Sequence, residues 1–164
     1  MKIKVYVDTN IYVYAIIHHP TFGNLCENVL IDIGRRLYEF HGSLLVAMEL
    51  LGSLSKIDPY IAKKALEDYF ALPLTLLSLN EEVLKFASII NEVANIRYDA
   101  VHAAIMLLNG ISTIVTNDVD DWNCLKSHFN YVLARVKREG YDLSVNEIEI
   151  VTPDSYEKWK KGQL

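Results

Sequence analysis

Four carboxylates in this chain lie where an acid is costly or structurally marked. Asp8 closes the apolar run Val5-Tyr6-Val7, and Glu49 interrupts the apolar segment Leu44–Leu51. Asp99 opens an apolar stretch, Asp118 follows the run Thr113–Thr116, and Asp121 stands three residues further on. An ionised carboxylate leaves water only when it is paired, hydrogen-bonded or metal-bound. Sequence neighbours offer little pairing: Glu49 and Asp118 have no basic residue within four positions, and only Arg97 lies close to Asp99. Several uncompensated acids at one edge of a sheet suit a hard divalent cation. Mg²⁺ takes oxygen ligands, keeps several waters and often bridges to a substrate phosphate.

Each acid also has an ordinary role open to it. Asp8, Asp99 and Asp118 can each cap a helix. Glu49, in mid-helix, cannot, and its ordinary reading is a partly exposed polar face. Asp121 fits either a ligand or the cap of a helix starting at Trp122. His102, three residues after Asp99 and on the same helical face, reads as a packed or supporting histidine rather than a ligand. Asp120 reads as a solvated loop acid.

The elements that must position these groups follow from patterning. Residues 3–8 read as a buried strand, which puts Asp8 at its carboxyl end, where ligands bind in open α/β sheets. A short helix from Asn10 to about His18 stops at Pro20 and Gly23. Leu25, Val29, Ile33 and Leu37 recur every four residues, predicting a helix from Asn24 to Phe40 that His41-Gly42 breaks. Ser43 can cap a helix over Leu44–Ser55. Asp58-Pro59 restarts one that runs to about Ala71. Leu74–Leu79 reads as a buried strand, and Asn80 caps a helix to about Asn95. Tyr98–Asn109 is helical, and Thr113–Thr116 is a strand. Asp121 to about Glu139 is helical in two pieces, Glu147–Val151 is a strand, and Asp154–Lys161 is a last helix. Strands alternating with helices predict a three-layer α/β/α fold with a mostly parallel sheet.

Composition narrows the classes. A chain of 164 residues, 51% hydrophobic, fits one domain with a real core and excludes disorder. A net charge of −5 excludes binding of nucleic acid by bulk charge. Contact must then come from local basic patches or from metal ions. Cys26 and Cys124 fit no zinc spacing and read as free, buried thiols of a reducing compartment. No apolar run approaches the ~18 residues of a membrane span, and Asp8 interrupts any signal-type segment. The expectation is a soluble cytoplasmic protein.

The residues VDTN at 7–10, LLVAMELLGSL at 44–54, YDAVHAAIM at 98–106 and TNDVDDW at 116–122 together resemble a PIN-domain nuclease. They occur in that family's order and at about its spacings, over residues 3 to about 151. Within the family the chain looks most like the VapC-like toxin ribonucleases of toxin–antitoxin pairs. It departs from them in extra length, chiefly Asn130–Ser144, and in Trp122 where a Phe is usual. The resemblance implies Mg²⁺- or Mn²⁺-dependent endonucleolytic cleavage of RNA, leaving a 5′-phosphate and a 3′-hydroxyl. It makes Asp8, Glu49, Asp99 and Asp118 the catalytic metal-binding set, with Asp121 auxiliary, and an antitoxin and a second copy of the chain the partners.

Beside the acids, Thr9, Asn10, Thr116 and Asn117 have the chemistry to orient carboxylates or touch phosphate. Arg97, Lys56, Lys63 and Lys64, with Arg135, Lys137 and Arg138, are the candidate RNA contacts, and the Tyr-rich composition can stack bases. Tyr12 and Tyr14 read as core or subunit-contact residues. A haloacid-dehalogenase-type phosphotransferase needs a second Asp where Asn10 stands. An RNA-processing PIN nuclease outside a toxin–antitoxin system, or a non-catalytic PIN interaction module, are the closer alternatives. Two scattered cysteines cannot build the zinc ribbon of the first, and the acids the second would lose are present.

Overall fold

The computed structural model describes residues 1–164. Its sheet has five strands: β1 Lys4–Val7, β2 Glu39–Ser43, β3 Thr75–Leu77, β4 Thr113–Val115 and β5 Glu149–Val151. All neighbours pair in parallel, in the order β3-β2-β1-β4-β5. The nine helices are α1 Thr9–Ile16, α2 Gly23–Gly34, α3 Leu44–Ser55, α4 Pro59–Ala71, α5 Glu81–Ala94, α6 Asp99–Leu108, α7 Val119–Ser127, α8 Phe129–Arg138 and α9 Pro153–Gln163. The arrangement is the expected PIN-like α/β/α fold, with a sheet that is wholly rather than mostly parallel.

The order of the strands locates the functional edge. From β1 the chain goes to β2 and β3 on one side, and then returns to β4 and β5 on the other. The order in which the strands are laid down therefore reverses between β1 and β4. The crevice beyond the carboxyl ends of strands at such a reversal is where open α/β sheets bind ligands. Asp8 follows β1, and Thr116 and Asp118 follow β4. Asp8 N–H donates to Val115 O at 3.0 Å, stitching the two strand ends together.

Local signals set the helices that flank this crevice. Ser43 accepts from Val46 N (3.2 Å), Asp58 from Tyr60 N (2.8 Å) and Asn80 from Val83 N (3.0 Å), so each caps its helix as its sequence context predicts. The predicted break in the helix after Asp121 is also present, with α7 and α8 meeting at His128.

Three expectations are corrected. The helix predicted from Asn24 to Phe40 ends at Gly34, where Arg36 turns the chain in a left-handed conformation (φ 54°). The chain then enters β2, a strand not predicted. β2 lies between β1 and β3 and is buried from Phe40 to Ser43. The strand predicted over Leu74–Leu79 is an edge strand, exposed at Thr75 and Leu76. Cys26 is buried, whereas Cys124 is only half-buried and donates to Ala94 O at 3.3 Å.

Gly42 shows how tightly β2 is held. A Cβ there would lie 2.1 Å from the Tyr69 hydroxyl. That hydroxyl accepts from Ser43 N (2.9 Å) and donates to Ser43 O (3.2 Å), clamping α4 to the end of β2. Gly42→Ala is expected to lower stability in urea unfolding by about 1–3 kcal/mol through overpacking. Gly34→Ala, where a Cβ meets nothing within 4 Å, is expected to leave stability unchanged or raise it by up to about 1 kcal/mol.

Candidate functional site

Asp8, Glu49, Asp99 and Asp118 border one cavity of about 260 Å³ at the strand reversal. Thr9, Asn10, Val13, Tyr14 and Ser53 complete its lining. Every acid comes from a different part of the chain: Asp8 from the end of β1, Glu49 from the middle of α3, Asp99 from the first residue of α6, and Asp118 from the turn between β4 and α7. Asp121, in the first turn of α7, joins Asp99 and Asp118, with one carboxylate oxygen of each within 4.8 Å of the others. Asp99 is shared with a second cluster of the same span, formed with Asp8 and His102.

The acids divide by how the protein satisfies them. Asp8 is buried and anchored. Its Oδ1 accepts from Thr9 N (2.7 Å), and its Oδ2 accepts from Thr116 Oγ1 (2.7 Å) and Asn10 Nδ2 (3.2 Å). It is thus both helix cap and site residue. Glu49 Oε1 accepts from Thr9 Oγ1 at 3.0 Å and from His102 Nε2, leaving Oε2 without a hydrogen bond in the protein. No other residue of the protein donates to the carboxyls of Asp99, Asp118 or Asp121, and Asp99 shares hydrogen bonds only with the carboxyls of Asp118 and Asp121. Asp99 and Asp118 make no side-chain capping bond either, so the capping reading does not account for them.

His102 carries more of the site than its sequence context indicates. It is 1% exposed. Nδ1 meets the Tyr6 hydroxyl at 2.7 Å, that hydroxyl meets Ser43 Oγ at 2.8 Å, and Nε2 lies 3.7 Å from Asp8 Oδ1. Burial alone would depress the imidazole pKa, but the charges of Asp8 and Glu49 outweigh it and raise it. Burial would likewise lift the Glu49 carboxyl. The His102 hydrogen bond and charge, with Thr9, outweigh that and hold it below the usual range. Both shifts favour an imidazolium beside a carboxylate. With Nδ1–H then donating to Tyr6, the Tyr6 O–H is left to donate to Ser43. Both ring nitrogens are committed, so His102 positions Glu49 rather than offering a lone pair to a metal.

Asp99 has no such relief. Burial first, and then the neighbouring carboxyls of Asp118, Asp8 and Asp121, push its pKa from 3.8 to about 9. These are hard oxygen donors, crowded and short of positive charge, which is the donor set that a divalent cation bound through carboxylates and waters requires. By that test the residues present fit Mg²⁺ or Mn²⁺.

Other predicted residues lie elsewhere or act differently. Asn10 Oδ1 accepts from Asn117 N (3.0 Å) and Thr116 Oγ1 accepts from Asp118 N (3.0 Å), so Asn117 contributes its backbone, not its side chain. None of Arg97, Lys56, Lys63 and Lys64 lines the cavity. Lys63 pairs with Glu67 and Lys64 with Asp68, one helical turn along α4. Lys56 caps the carboxyl end of α3, and Arg135 pairs with Glu92 and Glu139. Arg97, exposed and left-handed (φ 54°), borders a separate hollow with Tyr98. Tyr6, Ser43 and Tyr14 are site residues that the sequence did not mark. Tyr12 is buried in the core.

A sequence model of the family described as PIN domain matches residues 5–123. No curated protein matches the chain. Among solved structures, it is similar to VapBC2 from Rickettsia felis bound to a DNA fragment from its promoter, at 17% identity and TM-score 0.60, covering 92% of this chain and 98% of that one. DNA-bound VapBC from Salmonella typhimurium is similar at 18% identity and TM-score 0.57, with the same coverage of 92% and 98%. A toxin–antitoxin complex from Klebsiella pneumoniae is similar at 15% identity and TM-score 0.52, covering 72% of this chain and 89% of that one.

Asp99 sets the pH dependence of the metal-free protein. A carboxyl with a raised folded-state pKa binds more protons folded than unfolded. Its contribution is complete below about pH 4 and is lost as pH rises through about 9. In EDTA, the melting temperature should therefore fall across that window more steeply for wild type than for Asp99→Asn. Parallel melting curves against pH would show that Asp99 bears no such load.

Proposed function

The chain belongs to the PIN domain family, and from that premise we propose that it is a Mg²⁺- or Mn²⁺-dependent endoribonuclease serving as the toxin of a toxin–antitoxin pair. The observation that carries the proposal is the convergence of Asp99, Asp118 and Asp121, whose carboxyls find partners only in one another, with the anchored Asp8 and Glu49.

Asp8, Glu49, Asp99 and Asp118 would hold the cation, with Asp121 as auxiliary. When bound, the ion supplies charge neutralisation at phosphate and lowers the pKa of a bound water. The chain's own groups set the geometry. Thr9 N–H, Asn10 and Thr116 fix both Asp8 oxygens. His102 and Thr9 hold one oxygen of Glu49 and leave the other free. Asp99 must release its proton to become a ligand. The products would be a 5′-phosphate and a 3′-hydroxyl.

The toxin reading draws on neighbours that include a toxin–antitoxin complex and two VapBC structures. It draws also on the outer face of α3, where Leu44, Met48 and Leu51 are 45%, 61% and 48% exposed. Such an apolar stripe on a helix fits a protein partner, and an antitoxin is the partner proposed. A homodimer is proposed with it. Light scattering that shows only monomer at micromolar concentration would end that part. Free cysteines fit a cytoplasmic setting, and no helix is long and apolar enough to cross a membrane. Residues 1–164 are proposed to act as one nuclease unit.

The test is cleavage of a mixed pool of single-stranded and structured RNAs. Cleavage is expected with Mg²⁺ or Mn²⁺, none in EDTA, and none by Asp8→Asn, which also excludes a contaminating nuclease. Thr116→Val, which removes a hydroxyl that orients Asp8, should cost about 10–100-fold. Absence of cleavage with either metal across the pool would overturn the proposal.

A further inference from the structure

We propose that Tyr14 is the platform on which a base of the RNA stacks beside the scissile phosphate; this rests on the ribonuclease reading above. The cavity itself prompts the question of what holds the nucleotide. Its acids address a phosphate only through a cation, and no Lys or Arg lines it. Tyr14 is the one aromatic side chain at its border. A π-face is the group that binds a base without positive charge and without regard to sequence.

Tyr14 is built to hold still. Its ring centroid lies 4.6 Å from that of His19 and 5.8 Å from that of Phe22, with which it is stacked at 21°. His19 and Phe22 are themselves 5.2 Å apart, so the three rings form a closed cluster. His19 is pinned by backbone N–H groups of Thr21 and Phe22, which both donate to its Nδ1 (3.1 and 3.2 Å). The chain between α1 and α2 is fitted to this cluster. His18 is left-handed (φ 51°), His19 N–H donates to Tyr14 O (2.9 Å), and a Cβ on Gly23 would approach His18 C to 3.0 Å and Tyr14 O to 3.3 Å. The Tyr14 hydroxyl makes no hydrogen bond in the protein, although the ring is half-buried. Stacking on a base uses the ring and not the hydroxyl, so the unengaged hydroxyl is no bar to that role. Because α1 begins at Thr9, next to Asp8, the platform and that one acid are fixed on the same element.

The experiment uses the full chain and short RNAs cut at a mapped bond. Bases near that bond are replaced one at a time by an abasic residue or by fluorescent 2-aminopurine, and binding is read with Ca²⁺ as the sole divalent ion. In the wild type, one abasic position should weaken binding by roughly tenfold, and 2-aminopurine there should be quenched. Tyr14→Phe should keep both effects. Tyr14→Leu should bind intact RNA roughly tenfold more weakly, abolish the quench, and lose nothing further from the abasic substitution. Mn²⁺ affinity should be equal in all three proteins. Equal RNA binding and cleavage by wild type and Tyr14→Leu would overturn the platform while leaving the ribonuclease reading intact. If no RNA is cut, the ribonuclease reading fails, and 2-aminopurine scanned along an uncut RNA tests the platform alone: Tyr14-dependent quenching at one position upholds it, and quenching at none overturns it. Should Tyr14→Leu fail to fold, the wild-type abasic series decides: no single position costing roughly tenfold overturns the proposal.

Discussion

Like charges crowded at one point of the sheet are the constraint to which the rest of this structure answers. Asp8, Glu49, Asp99, Asp118 and Asp121 meet beyond the ends of β1 and β4, and the protein supplies one internal cation, His102. At close range in a partly desolvated site, mutual repulsion disfavours the ionised forms. The folded chain resolves this unevenly. Asp8 and Glu49 receive hydrogen-bond donors and an imidazolium. Asp99 takes the residual strain as a raised pKa. Asp118 stays exposed, so water carries part of its charge. The unresolved part of the repulsion is what a bound cation would relieve.

The means of placing the charges are ordinary pieces of secondary structure. Asp8 is the N-cap of α1, Asp99 the first residue of α6, and Asp118 the N-cap of α7. Each therefore stands at the positive end of a helix dipole, which favours a carboxylate. Glu49 lies in the interior of α3 and has no such help. It is also the acid that receives His102. The exception and its compensation belong together: the residue that no helix terminus stabilises is stabilised by the one buried cation. The line Ser43–Tyr6–His102–Glu49 then ties the amino end of α3, through the core of the sheet, to the acid in its middle.

The sequence showed the acids because each breaks an apolar run, and apolar runs mark buried elements. It showed the caps at Ser43, Asp58 and Asn80 because capping is a local matter of adjacent residues. It hid β2, since Leu25, Val29, Ile33 and Leu37 continue a helical period past the true end at Gly34, while His41-Gly42-Ser43 carries no strand pattern. That segment is buried because β1, β3 and Tyr69 surround it, and these are contacts no local window contains. The same holds for Tyr6 and His102, 96 residues apart. Tyr14 was hidden differently. A tyrosine in an apolar helix reads as core, and only the position of the cavity distinguishes it from buried Tyr12.

Charge elsewhere on the molecule sharpens what the cation must do. The chain carries a net charge of −5. Lys63, Lys64 and Arg135, which a polyanion would seek, are engaged with acids on their own or adjacent helices. The cavity has no basic side chain of its own. A protein that binds nucleic acid through counterion release needs several free lysines or arginines along the phosphate track, and the lining of this cavity has none. On the proposed nuclease reading, attraction of a phosphodiester to the cavity would be conditional on a cation, since the acids alone repel an anion and a bound cation would offset them. Contacts that carry no charge, such as an aromatic face, would then be the kind left to orient the strand.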